Sequence, residues 1–155
     1  MPSSSSTPSP LDAHLGYWLR YVSNQVSHAF SQKLAEREVT VAEWVVLRTL
    51  FDHKALSPSL LAERLGMTRG AISKLSDRLA GKGLLAVGAA GEADKRAKAL
   101  ALTAAGRDLV PLLAALADAN DEELFGHLGA QERESIAAAM KEIVRRQGVR
   151  AVPID

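Results

Sequence analysis

The chain has 155 residues, enough for one domain of ordinary size with a full core. It contains no cysteine, which excludes disulfides and thiolate zinc sites and is compatible with a reducing compartment. The formal net charge is only +1, so the overall balance by itself names no nucleic-acid partner, and no stretch approaches the roughly 20 apolar residues of a membrane span.

Residues 1–10, MPSSSSTPSP, are low in complexity and are expected to form a disordered tail. They lack the basic start and apolar run of a secretory signal, so a cytoplasmic protein is expected. From Leu11 to about Glu38 the periodicity predicts one long helix, its stripe made by Leu11, Leu15, Trp18, Leu19, Val22, Val26, Phe30 and Leu34. Thr40 and Glu43 have the spacing of a capping box for a second helix carrying Val46, Leu47, Leu50 and Phe51.

The stretch from Ser57 to Thr103 is the most specific part of the chain. Ser57 caps a short helix with Pro58 at its first position, and Leu60, Leu61 and Leu65 make its apolar face. Gly66 provides the left-handed turn and Thr68 caps the next helix, in which Ile72, Leu75 and Leu79 face a core. Gly83 stops that helix. Leu84–Val87 and Ala97–Leu102 read as two strands around a turn-rich loop, Gly88–Arg96. Helix, glycine turn, helix, strand, loop, strand is a helix-turn-helix with a β-wing, which puts its second helix into a DNA groove.

At about 100° per residue, Thr68, Ile72, Leu75 and Leu79 fall on one side of that second helix, and Gly70, Ser73, Lys74 and Asp77 on the other. Arg69 and Arg78 flank the polar side. Small and polar residues toward base edges with arginines toward phosphates suit a recognition helix; an ordinary solvated helix face is the plainer alternative. Segment 57–98 holds eight basic residues (Arg64, Arg69, Lys74, Arg78, Lys82, Lys95, Arg96, Lys98) and four acidic ones (Glu63, Asp77, Glu92, Asp94), net +4. The rest of the chain is therefore net −3, so positive charge is concentrated on the winged part.

Asp94-Lys95-Arg96 followed by Leu100-Ala101-Leu102-Thr103 resembles the D-x-R…L-x-L-T wing signature of MarR-type transcriptional regulators. Leu75-Ser76-Asp77-Arg78-Leu79, then Lys82-Gly83-Leu84, is similar to the end of that family's recognition helix. The resemblance extends over nearly the whole chain in length and helix order. It implies that Arg96 enters the minor groove at the wing tip with Asp94 orienting it, where a narrow groove concentrates negative potential. It also implies that the first and last helices of two chains interlock. Long amphipathic helices at both ends fit this, by burying their stripes against a second copy; closure on the chain's own core is the alternative.

After the wing, Thr103 caps a long helix carrying Leu109, Leu112, Leu113 and Leu116, with Pro111 expected to kink it or break its ladder. A last helix carries Ile136, Met140, Ile143 and Val144. The expected fold is therefore mainly α, a winged helix-turn-helix of about six helices plus a two-stranded β-wing. Residues 11–155 form one domain, in which 40–103 are the DNA-binding part and 11–38 and 104–150 the dimerisation helices.

The expected DNA-contacting set is Ser57, Ser59, Thr68, Arg69, Gly70, Ser73, Lys74, Arg78, Asp94, Lys95, Arg96 and Lys98. The family resemblance also implies a small aromatic or phenolic effector held between the dimerisation helices and the winged part. Trp18, Tyr21 and Trp44 are the candidate walls, and His14 or Arg48 the candidate anchors; the same aromatics also fit plain core or interface roles. The four histidines show no close ligand spacing, and no metal or cofactor is expected. No phosphate-cradling glycine loop, nucleophile elbow or H-E-x-x-H is present, so catalysis is not expected. The sequence thus points to a DNA-binding regulator, a repressor of a palindromic operator bound as a homodimer and released by a ligand. The competing reading is a winged-helix protein-interaction module without specific DNA binding.

Overall fold

The computed structural model describes residues 6–89 and 98–148. Among them the chain forms a 3₁₀ turn at Leu11–Ala13, then α1 (Leu15–Ala35), α2 (Val41–Phe51), α3 (Pro58–Leu65) and α4 (Arg69–Gly81). Strands β1 (Leu85–Ala89) and β2 (Lys98–Leu102) follow, then α5 (Ala104–Phe125) and α6 (Ala130–Gln147). This is the expected mainly helical winged fold.

One buried cluster holds it together. The C-terminal end of α1 supplies Phe30 and Leu34, α2 supplies Val46, Leu47 and Leu50, and α3 supplies Leu61 and Ala62. Ile72, Leu75 and Leu79 of α4, Leu85, Leu100 and Leu102 of the strands, Val110 and Leu113 of α5, and Val39, Leu56 and Met67 from the connections complete it. A fully buried Leu or Ile contributes on the order of 1.5–3 kcal/mol, so this cluster outweighs any surface ion pair in the chain. A directional lock ties α1 to α5. Asn120 is buried, takes a bond from Lys33 Nζ at 3.0 Å and donates to the Val26 carbonyl at 3.3 Å.

The strands pair antiparallel, Leu85 opposite Leu102 and Val87 opposite Leu100. Leu56 forms an isolated bridge to β2, exchanging backbone bonds of 2.9 and 2.8 Å with Leu100 and so tying the link before α3 to the wing. Sequence periodicity cannot find a one-residue bridge of this kind.

Several boundaries differ from expectation. The first helix begins at Leu15, not Leu11, because His14 is extended (φ −93°, ψ 126°) and separates the 3₁₀ turn from α1. The turn is instead pinned by Trp18, whose indole N–H donates to the Asp12 carbonyl at 2.7 Å. At its other end α1 stops at Ala35, and Glu38 takes a left-handed φ of 55° at the corner into α2. The strands span Leu85–Ala89 and Lys98–Leu102, so Leu84 precedes the sheet and Gly88 belongs to it rather than to the loop. Pro111 does not break α5, which runs through it. It lies on the exposed side, while Val110 and Leu113 anchor the helix in the core beside it. Leu60 is exposed; Leu61 and Ala62 are the buried residues of α3, and Leu65 packs half-buried against the same core.

The wing is welded to α5 at one point. Thr103 Oγ1 donates to the Gly83 carbonyl at 2.7 Å and accepts the Gly106 amide at 3.1 Å, while the Thr103 amide bonds the Leu84 carbonyl at 3.1 Å. Gly106 is buried against this carbonyl, and a Cβ there would collide with the Leu84 backbone. Gly106→Ala must therefore push α5 off the wing base. A loss of about 1–3 kcal/mol is expected, as for other overpacked sites, read as a lowered thermal midpoint. A midpoint equal to wild type contradicts the tight junction.

Candidate nucleic-acid interface

The helix-turn-helix is built as its residues dictate. Ser57 Oγ accepts the Leu60 amide at 3.2 Å and Pro58 occupies the first turn of α3. Gly66 ends α3 with φ 63°, a left-handed conformation that glycine adopts without strain. Met67 is buried beneath the turn, and Thr68 Oγ1 accepts the Ala71 amide at 3.1 Å to start α4.

Helix α4 then divides sharply. Ile72, Leu75, Ser76 and Leu79 are buried. Arg69, Gly70, Ser73, Lys74, Asp77 and Arg78 are exposed together on the other side. Thr68 corrects the helical wheel, which put it on the core side; as the capping residue it has left the helical path and is exposed. Arg69, Lys74 and Arg78 make no ion pair among the described residues, so their charges are offered outward. A Cβ at Gly70 would meet nothing closer than Thr68 Oγ1 at 4.0 Å, so no packing inside the chain requires glycine there. Ser57 and Ser59 are exposed at the start of α3, and Lys98 is exposed at the start of β2. Asp94, Lys95 and Arg96 lie outside the described residues.

Lys82, counted above with the basic residues of the winged segment, is turned inward. Its ammonium donates to both Glu43 carboxylate oxygens, at 3.1 and 2.8 Å, and to the Glu38 carbonyl at 2.6 Å. Glu43 is only 1% exposed and also closes the expected capping box with Thr40. Burial pushes its carboxyl up, but the bond from Lys82, the Thr40 amide and hydroxyl, and the Lys82 charge together hold it below its ordinary value. Capping explained Glu43 in the sequence; nothing local marks a lysine 39 residues away as its partner.

The candidate effector residues form separate groups. Tyr17 packs edge-on to Trp18 with centroids 5.1 Å apart, and Tyr21 stands 6.4 Å from Tyr17. Trp18 and Tyr21 are about half exposed, whereas Trp44 is partly buried and packs edge-on to Phe30 at 6.2 Å. Arg48 bonds Asp52 at 2.8 Å and lies over the Phe51 ring, and His14 Nδ1 sits 3.2 Å from the Pro10 carbonyl. Within one chain the aromatic contacts thus do not join Trp44 to Trp18 or Tyr21. Sequence reading also missed Arg107, which donates to the Phe51 and His53 carbonyls at 3.2 and 3.0 Å and fastens α5 to the end of α2.

Residues 39–98, which span α2 to the first residue of β2, match the family model described as MarR family. A structure of BpsR from Bordetella bronchiseptica superposes with a TM-score of 0.81 at 27% identity, covering 88% of this chain and 97% of that one. Residues 39–98 are thus similar to the MarR family, and the structural likeness to BpsR extends over most of the chain. The curated relatives it matches are named transcriptional regulators. Transcriptional regulator HosA of Escherichia coli O157:H7 is 25% identical over 107 residues, 69% of this chain and 78% of that protein. The Staphylococcus aureus MepR–DNA complex matches at 25% identity and a TM-score of 0.77, covering 84% of this chain and 96% of MepR. Among the described residues no helix is long and apolar enough to cross a membrane.

The lowered Glu43 carboxyl fixes the sign of a pH effect. Its stabilising contribution is fully present above the ordinary value of 4.5 and is lost as pH falls through the lower folded-state value. The stability difference between wild type and Glu43→Gln, measured by urea unfolding from neutral pH downward, should shrink as the solution is acidified below that ordinary value. A difference independent of pH contradicts the assignment.

Proposed function

We propose that this chain is a sequence-specific DNA-binding transcriptional regulator of the MarR family, acting in the cytoplasm. In this reading two copies bind a palindromic promoter site, repress from it, and leave it when a small ligand binds. The observation that carries the proposal is the division of α4: one face is sunk in the core, and the other presents Arg69, Lys74 and Arg78 around Gly70 and Ser73. Arg69 and Arg78 are assigned to phosphates, and Ser73 and Lys74 to base edges. Ser57, Ser59 and Thr68 approach the backbone from the two helix starts, and Asp94, Lys95, Arg96 and Lys98 carry the wing contact. MepR, bound to DNA, supports the reading by its similarity to this chain. The rival reading, a winged helix that binds only proteins, leaves this exposed basic face without a role.

The proposed division assigns 40–103 to DNA and the flanking helices to a second copy. The terminal helices carry apolar side chains that the chain itself leaves uncovered. Leu15 is 86% exposed and Leu11 66%, and α6 has no buried residue although Ile136, Met140, Ile143 and Val144 lie along it. Burying those faces against a symmetry-related copy gives a two-fold dimer whose recognition helices meet successive turns of DNA. The study of BpsR concerns regulation of its DNA binding by 6-hydroxynicotinic acid, which supports an aromatic acid as the class of effector here. In this proposal Trp18, Tyr21 and Trp44 form walls, and His14 or Arg48 the anchor, of a pocket completed between the dimerisation and winged parts.

Two experiments test the reading. In salt titrations of DNA binding, wild-type affinity should fall steeply, and Arg69→Ala or Arg78→Ala should each lower the log–log slope by about 1. They should weaken selected and random duplexes alike; a wild-type affinity indifferent to salt sinks the DNA assignment. Ile143→Glu places a charge where the dimer would bury it unpaired. Light scattering should then report monomer or aggregate with loss of operator binding, whereas a variant that remains dimeric puts Ile143 outside the interface.

A further inference from the structure

The three donors of Lys82 are spent on three acceptors that belong to another part of the fold. Lys82 is the C-capping residue of α4, its own amide bonded to the Arg78 carbonyl at 3.1 Å. Its ammonium reaches the Glu43 carboxylate in the first turn of α2 and the Glu38 carbonyl in the corner where α1 passes into α2. That corner is itself fixed: Glu38 is the one non-glycine residue with positive φ among the described residues, at 55°. The contacts of Ile72, Leu75 and Leu79 with the core are apolar and therefore non-directional. They fix which face of α4 is buried but resist a small rocking of the helix only weakly. Charge-assisted hydrogen bonds are directional, and this set acts at the far end of the helix from its Thr68 cap.

We propose that Lys82 is a positioning residue for DNA reading: it clamps the C-terminal end of α4 to the α1–α2 corner and so sets the spacing of the two recognition helices relative to the dimerising helix α1. The inference rests on the DNA-binding dimer proposed above. It gives the clamp a purpose beyond the stability that the lowered Glu43 carboxyl contributes. It also removes Lys82 from the phosphate-contacting charges, because its ammonium is already committed.

The probe is a duplex selected by the wild-type protein from a random pool, together with the same duplex carrying one extra base pair between its half-sites. Lys82→Met should fold as wild type by circular dichroism and bind the selected duplex about tenfold more weakly. Its salt slope should match wild type, and it should lose most of the discrimination against the inserted base pair. Lys82→Arg, which keeps charge and several donors, should restore the discrimination. If Lys82→Met fails to fold, Lys82→Gln is read in its place by the same criteria. A salt slope lowered by about 1 makes Lys82 a phosphate contact and overturns the proposal. Unchanged affinity and discrimination overturn it as well. Failure of the wild-type protein to bind any duplex is a separate result, and strikes the DNA-binding reading on which the proposal rests.

Discussion

The burial of Ile72, Leu75 and Leu79 is the constraint on which the rest depends. These side chains commit one face of α4 to the core shared by α1, α2, α3, the strands and α5. Once that face is fixed, helical geometry leaves Arg69, Gly70, Ser73, Lys74 and Arg78 no place but solvent. The exposed polar face is therefore a consequence of packing on its opposite side. Removing a buried leucine such as Leu79 costs about 2–5 kcal/mol, whereas a surface ion pair such as Arg48–Asp52 contributes about 0–1 kcal/mol. The charges of Arg69, Lys74 and Arg78 are thus not what holds α4 in place, and are free to serve a partner.

Apolar residues are divided unequally along the chain. The winged part and its neighbours complete a core, with Leu34, Leu47, Leu50, Leu61, Ile72, Leu79 and Leu113 fully buried. The N-terminal half of α1 and the whole of α6 do not. A few polar fasteners join the elements around the core: Lys33 and Asn120 between α1 and α5, and Lys82 between α4 and the α1–α2 corner. In the dimer proposed above, these fasteners lie between the surface that meets the second copy and the surface that meets DNA. A ligand acting between them can shift DNA affinity only by its differential affinity for the two arrangements they permit.

Much of this was legible in the sequence because its signals are local. Ser57, Gly66, Thr68 and Thr103 each mark a boundary through bonds within a few residues, and the Thr40–Glu43 box did the same for α2. The exposed set on α4 followed from helical period alone, apart from Thr68, whose capping role overrides its place on the wheel. What escaped depends on distance in the chain. The Leu56–Leu100 bridge, the reach of Lys82 to Glu43, and the grip of Arg107 on the end of α2 join residues 39 or more positions apart. The break at His14 escaped for another reason: the apolar stripe continues across it, and only the backbone reveals that Leu11 belongs to a separate turn.

In the proposed dimer a pair of recognition helices reads two half-sites from one face of DNA. Hydroxyl-radical footprinting on a duplex selected by the wild-type protein tests this most directly. It predicts two protected tracts of equal depth, their centres about 10 base pairs apart and related by the symmetry of the site. A single protected tract, or uniform protection without a preferred position, would contradict it.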